Sequence, residues 1–213
     1  MKEEYFFYKN NILHYKISDK DSLSFDFLKG RLFNRLKRIE HESLIKKAIG
    51  KNKVKLKIFD ATAGSLIDTI IFLKLGHKVV ACEQSKILIK LLNDAIQRAR
   101  EEYGFFENLT LINEDSANVI ELHQDSDIFY FDPMFNKTKR NLKRSGVLQK
   151  ISHILNGEKL EDTSKGIFKY MQKSNYKKII VKRPINSKPL DEKINYQVKG
   201  KAIRFDIYIK NID

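Results

Sequence analysis

The sequence predicts an α/β protein: a mostly parallel sheet covered by helices and ending in an antiparallel C-terminal hairpin. From about Lys55 short β-rich runs alternate with longer helical ones, the pattern left by strands joined through crossover helices. Two runs within "YQVKGKAIRFDIYI" have no room between them for a helix, so that pair must be antiparallel. Only nine glycines and three prolines punctuate the 213 residues. With no internal repeat or Gly/Ser linker, the chain suits one substantial core.

In chain order, residues 1–50 read as a basic N-terminal extension, mostly helical over "FDFLKGRLFNRLKRIEHESLIKKAIG" and placed to bear on substrate, and residues 51–213 as the α/β domain. "KLKIFDAT" is a first buried strand, followed by a glycine turn at Gly64 and a helix over "LIDTIIFLKLG" that stops at Gly76, since glycine accepts the left-handed conformation that ends helices. "HKVVACE" is the second strand. Ser85 caps the next helix, whose Leu88, Leu91, Leu92, Ala95, Ile96 and Ala99 recur at three- and four-residue spacing and so form one apolar face. "LTLIN", "DIFYF" and "KKIIVKR" supply strands three to five, and the tail two more around a turn at Gly200. A parallel sheet ending in such a hairpin is the outline of the class I S-adenosylmethionine-dependent methyltransferase fold, a Rossmann-like arrangement.

The 41 basic and 27 acidic residues leave a net charge of +14, which favours a polyanion such as nucleic acid or an anionic membrane surface. A solvated lysine-rich surface in a lysine-biased proteome gives the same number. Cys82 is the single cysteine, so no disulfide framework and no cysteine zinc site are expected, in keeping with a reducing cytoplasm. The histidines are scattered and no metal is expected. No apolar run approaches the roughly 20 residues of a membrane span, and the acidic start is unlike a secretory leader.

Ligands of open α/β sheets sit beyond the carboxyl ends of the strands. There the sequence offers Gly64, whose small size lets backbone approach a ligand, and Asp68 in the helix start that follows. Glu83 stands where a carboxylate can accept both hydroxyls of a ribose; Asp115 and Ser116 stand where they can hold an adenine amine; Asp132 ends strand four. Singly, Asp60 and Asp115 read equally as helix caps, and Asp68 as a first-turn carboxylate favoured by the helix dipole. "AGSLID" lacks the G-x-G-x-x-G that cradles a pyrophosphate, and no G-x-x-x-x-G-K-[ST] loop exists. S-adenosylmethionine carries adenine, ribose and an amino-acid end without phosphate, which suits a turn with fewer glycines and more carboxylates.

"YFDPMF", Tyr130 to Phe135, is the chemical centre of this reading. Acceptors on the Asp132 side chain and the Pro133 carbonyl can take the hydrogens of an exocyclic amine and stabilise the charge that develops on it; Phe135 can stack on the base. The bland alternative is an Asp-Pro turn with Phe135 in the core. Lys137, Lys139 and Arg140 follow at once, suited to phosphate contacts or to a solvated loop. Lys182 and Arg183 of "VKRP" close strand five on the same side of the sheet, and Arg204 lies on the last strand, either as a substrate contact or as an ion pair with Asp206 on its own face.

"DATAG", "YFDPMFNKTKR", "IIVKRP" and "KGKAIRFDIY" together resemble the bacterial ribosomal RNA small subunit methyltransferase J family, from about Phe25 to Ile209. The resemblance implies S-adenosylmethionine as cofactor, 16S rRNA or the 30S subunit as partner, and methylation of the N2 amine of one guanosine. It also implies cofactor contacts at Ile67, Asp68, Glu83, Gln84, Asp115, Ser116 and Asp132. The family usually carries glycine and arginine where this chain has Leu66 and Ile67. Two other readings remain: an adenine or cytosine amino-methyltransferase of another RNA or DNA, because "DPMF" is a variant of D-P-P-[FY], and a non-catalytic RNA-binding module on the same fold.

Overall fold

The computed structural model describes residues 3–50, 54–133, 146–160 and 163–210. Each of the seven runs read as strands forms one: β4 (Lys57–Asp60), β5 (Lys78–Cys82), β6 (Leu109–Ile112), β7 (Ile128–Phe131), β8 (Lys178–Pro184), β9 (Tyr196–Lys199) and β10 (Ile203–Ile209). They make one sheet in the order β6-β5-β4-β7-β8-β10-β9. Pairing is parallel from β6 through β8, and β10 runs antiparallel to both β8 and β9. Both faces of the sheet are covered, which is why β7 reads as the unbroken apolar run Ile-Phe-Tyr-Phe, buried throughout.

Strand alternation sorts the core into two. Ile58, Ala81, Tyr130, Ile180 and Phe205 face a cluster that contains Ile70 and Phe72 of α3 (Ile67–Lys74) and Leu88 and Leu92 of α4 (Lys86–Ala99). Phe59, Cys82, Phe131, Val181 and Tyr208 face the other, which contains Ile167, Phe168 and Met171. Those three belong to α7 (Ser164–Lys173); α5 (Ser116–Val119) and α6 (Gly146–Gly157) precede it.

The helix signals act as read. Ser85 Oγ accepts the Leu88 amide at 3.1 Å. The last turn of α3 closes at Gly76, φ +94°, where Gly76 N–H bonds Leu73 O at 2.9 Å and His77 N–H bonds Phe72 O at 3.1 Å, the paired bonds of a Schellman ending. Gly200 makes the β9–β10 turn, and a Cβ there would meet Leu44 Cδ2 at 2.9 Å and Ile203 O at 3.1 Å, so a larger residue would displace the Leu44 side chain and crowd the turn's backbone.

The N-terminal region departs from expectation. Residues 25–50 are largely helical, with α1 (Gly30–Lys37) and α2 (Ser43–Ile49). Before them lies an antiparallel sheet of β1 (Phe6–Lys9), β2 (Ile12–Ser18) and β3 (Asp21–Leu23) that the sequence reading did not anticipate. Asn10 and Asn11, at φ +51° and +59°, form its first turn, which matches the turn two-residue hairpins favour. Leu13, Leu23, Phe27, Leu36 and Ile45 share the buried cluster of Ile58 and Leu88. Leu13 N–H bonds Asp94 of α4 at 3.3 Å. Arg35 of α1 grips Glu42 with two bonds of 2.7 and 2.8 Å. No helix among the described residues is long and apolar enough to cross a membrane.

Candidate active site

The order of chain growth reverses between β4 and β7, which are neighbours in the sheet although far apart in sequence. Ligands bind beyond the carboxyl edge of such a reversal because the connections diverge there to opposite faces. At this edge the β4 exit is tied to both neighbours: Ala61 N–H bonds Tyr130 O at 3.0 Å and Ala63 N–H bonds Cys82 O at 2.9 Å. Asp60, 1% exposed, accepts the Thr62 amide at 3.0 Å and the Thr69 hydroxyl, so it organises the loop and the first turn of α3 rather than facing out. Thr62 Oγ1 in turn accepts the Asp132 amide at 2.7 Å.

The loop then reaches α3 through two left-handed residues, Gly64 at φ +53° and Leu66 at φ +60°. Leu66 is fully buried. A left-handed backbone costs a non-glycine residue about 1–2 kcal/mol.

Asp68 lies in the first turn of α3, and its Oδ2 gathers two donors: the Tyr130 hydroxyl at 2.6 Å and Lys182 Nζ at 2.6 Å. Lys182 Nζ also lies 2.8 Å from Asp132 Oδ2. Tyr130, Asp132 and Lys182 meet because they share a face. In the parallel β7–β8 register Tyr130 is opposite Ile180, and each next residue on that face, Asp132 and Lys182, is two further along. Burial works to lower the Lys182 pKa, but attraction from Asp132 and Asp68 outweighs it and holds the ammonium above its ordinary range. Burial, reinforced by Asp68 and Asp132, pushes the Tyr130 phenol well up, so it stays a neutral donor.

On the next strand Glu83 closes β5, buried, with Oε2 accepting Gly64 N–H at 3.0 Å and Oε1 accepting Ser85 N–H at 2.8 Å. Burial pushes its carboxyl up to about 7 against the pull of those two amides. Asn113 donates to the carbonyls of Glu83 and Gln84 at 2.9 and 3.2 Å. Asp115 caps α5, its Oδ1 accepting Ala117 N–H at 2.9 Å. The Ser116 hydroxyl beside it is buried and has no hydrogen-bond partner among the described residues.

The sequence expectations therefore separate. Asp68, Asp132 and Lys182 are brought into direct contact, and Gly64 meets Glu83. Pro133 is buried directly after Asp132, and Ile67 is exposed beside Asp68. Arg183 and Arg204 go elsewhere, which corrects the reading of Lys182 and Arg183 as facing one side: consecutive strand residues point to opposite faces. Arg183 donates to Lys188 O. Arg204, opposite Arg183 in register, is 4% exposed. It bonds Asp206 at 2.7 and 3.2 Å and the carbonyls of Pro184 and Ile185 at 3.0 and 2.6 Å, so its guanidinium holds the β8 exit in place instead of reaching the strand-end cluster. Phe135, Lys137, Lys139 and Arg140 lie outside the described residues. Tyr130 and Thr62 were missed as site residues. Tyr130 was open to detection, standing two before Asp132 on the same strand face; the Thr62 contact depends on the β4–β7 pairing.

The residues at the strand ends fit S-adenosylmethionine. Among the described residues no hydrogen bond goes to Asp68 Oδ1, and the orphaned Ser116 hydroxyl is a buried polar atom that a ligand would satisfy. Strand order, helix placement and this edge define a class I S-adenosylmethionine-dependent methyltransferase. A family model described as "Putative SAM-dependent methyltransferase" matches residues 3–210. The protein named Ribosomal RNA small subunit methyltransferase J from Francisella tularensis subsp. novicida is 33% identical over 97% of this chain and 88% of its own length. The protein of the same name from Francisella philomiragia is 32% identical over the same shares. A solved SAM-dependent methyltransferase from Neisseria gonorrhoeae superposes with a TM-score of 0.68 at 24% identity, covering 96% of this chain and 81% of that one. The chain belongs to the ribosomal RNA small subunit methyltransferase J family.

Proposed function

We propose that the protein transfers a methyl group from S-adenosylmethionine to the exocyclic N2 amine of a guanosine in 16S rRNA, free or in the 30S subunit, in the cytoplasm. The observation that carries this is the setting of Asp132: a carboxylate at the carboxyl edge of β7, its amide held by Thr62 and its side chain paired to Lys182. When bound, the cofactor supplies an electrophilic methyl on a sulfonium, and transfer is a direct displacement. Asp68, Glu83, Gln84, Asp115 and Ser116, with Ile67 and the Gly64 turn, are the residues that would hold it.

Asp132 then acts on the acceptor. A guanine amine has its lone pair delocalised into the ring, so acceptors on its hydrogens, here the Asp132 carboxylate and the Pro133 carbonyl, turn that pair outward and stabilise the positive charge that builds on nitrogen. Phe135 stacks on the base, and Lys137, Lys139 and Arg140 contact the phosphates of the strand. The names and identity of the Francisella relatives support rRNA as the substrate class.

Mass spectrometry of rRNA nucleosides from a deletion strain tests the proposal. An N2-methylguanosine should disappear, return with the wild-type gene, and stay absent with Asp132→Ala. An unchanged N2-methylguanosine content overturns it; loss of a methylated adenine or cytosine instead points to the amino-methyltransferase alternative.

A further inference from the structure

We infer that Lys182 is a positioning residue that clamps the Asp68 and Asp132 carboxylates together, so that the cofactor side and the acceptor side of the site are held as one unit. The inference rests on the methyltransferase reading above and gives Lys182 a role other than direct contact with substrate. The side chains of Lys182 and Asp68 are only 23% and 10% exposed, and one ammonium meets both acids at 2.6 and 2.8 Å. A lysine that reads a phosphate has to present its ammonium to solvent; this one would have to leave two charge-assisted bonds, which are among the stronger hydrogen bonds a protein makes.

The geometry at Asp68 shows what the clamp does. Tyr130 and Lys182 both donate to Oδ2, which holds that oxygen and leaves Oδ1, bonded by none of the described residues, for a ligand. At Asp132 the same ammonium sets one carboxylate oxygen while Thr62 sets the backbone. Lys182 comes from β8, Asp132 from the β7 exit and Asp68 from α3, so three elements meet at one nitrogen, and the β7 Tyr130 hydroxyl bonds the same Asp68 oxygen. The other ionisable groups around the cluster are Asp60 beneath it on β4 and Arg35 of α1, whose guanidinium is paired with Glu42. Among the described residues no second lysine or arginine bonds Asp68.

The test compares Lys182→Met, which keeps the stem and removes the charge, with Lys182→Arg, which keeps the charge. Binding of S-adenosylhomocysteine to the purified full chain is measured by calorimetry from pH 5.5 to 8.5, alongside RNA affinity as a function of salt. Without the cation the two carboxylates lose their shared donor, so Lys182→Met should weaken binding about tenfold, the value of a lost charge-assisted hydrogen bond. Lys182→Arg should recover most of it, and RNA affinity should stay within about twofold.

Wild-type binding by Lys182→Met at every pH overturns the clamp. So does a loss of RNA affinity with a salt slope shallower by about one, the mark of a lost phosphate contact. Lys182→Gln carries the same comparison if Lys182→Met does not fold. Because these readouts need no methyl transfer, a failure of the guanosine-N2 assignment in wild-type protein is seen separately.

Discussion

The Asp132 amide donates to the Thr62 hydroxyl oxygen across 2.7 Å, so the loop that leaves β4 holds the last residue of the β7 exit. The contact joins the cofactor loop to the proposed amine-binding carboxylate. Thr62→Val keeps the shape and removes the acceptor. Methyl transfer should fall about tenfold with a stability loss of about 1 kcal/mol, the value of one hydrogen bond, and Thr62→Ser should restore both. Turnover and thermal unfolding of the three proteins check this.

Tyr130→Phe deletes the hydroxyl that donates to Asp68 Oδ2 and keeps the ring edge-on to Phe72 at 4.9 Å. The fold should persist with a loss of about 1 kcal/mol, while S-adenosylhomocysteine binds several-fold more weakly because Asp68 loses one of its two orienting donors. Calorimetry and a denaturant midpoint separate the two effects.

Ser116→Ala makes the opposite combination. The hydroxyl has no partner among the described residues, and removing an unsatisfied buried polar atom is neutral or stabilising. Thermal stability of the ligand-free protein should hold or rise while cofactor affinity falls. Unchanged affinity would remove Ser116 from the cofactor site.

Leu66→Gly tests which of two opposing effects is larger. Glycine relieves the left-handed strain at φ +60°, worth about 1–2 kcal/mol. Deleting a fully buried leucine side chain costs about 2–5 kcal/mol. Burial wins, and the variant should be less stable by about 1–3 kcal/mol in urea unfolding.

Asp60 and Glu83 are both pushed up to about 7 by burial, against hydrogen bonds that pull them down. In an unfolded chain they titrate near 4. Between about pH 4 and 7 the native state therefore holds protons that the unfolded state releases, and stability falls as pH rises through that window. The melting temperature of the ligand-free protein should drop by several degrees from about pH 5 to 8, and Asp60→Asn should remove about half of that slope. A flat profile in the wild type would count against the buried carboxyls as its cause.

Much of this architecture was legible in one dimension. Alternating β-rich and helical runs predicted the strands and their crossovers, Gly76 and Ser85 marked helix ends, and the short "KGKA" link required an antiparallel partner for β10. The opening sheet was legible as well: "FFYKNNILHYK" places β-formers around Asn10 and Asn11, both able to take positive φ. The helical reading covers only the basic stretch from Phe25, and the hairpin signal before it went unread.

The sequence by itself determined which residue types stand at each strand end, because strand exits are local and burial repeats with period two. Acidic and small residues at Gly64, Asp68, Glu83, Asp115 and Asp132 were found that way. Tertiary structure decided which of them meet. Lys182 and Arg183 are neighbours in sequence, yet one clamps Asp68 and Asp132 while the other bonds Lys188 O on the opposite face. Thr62, Tyr130 and Lys182 acquire their partners only when β4, β7 and β8 pair in register, since those contacts join residues far apart along the chain and no local pattern records them.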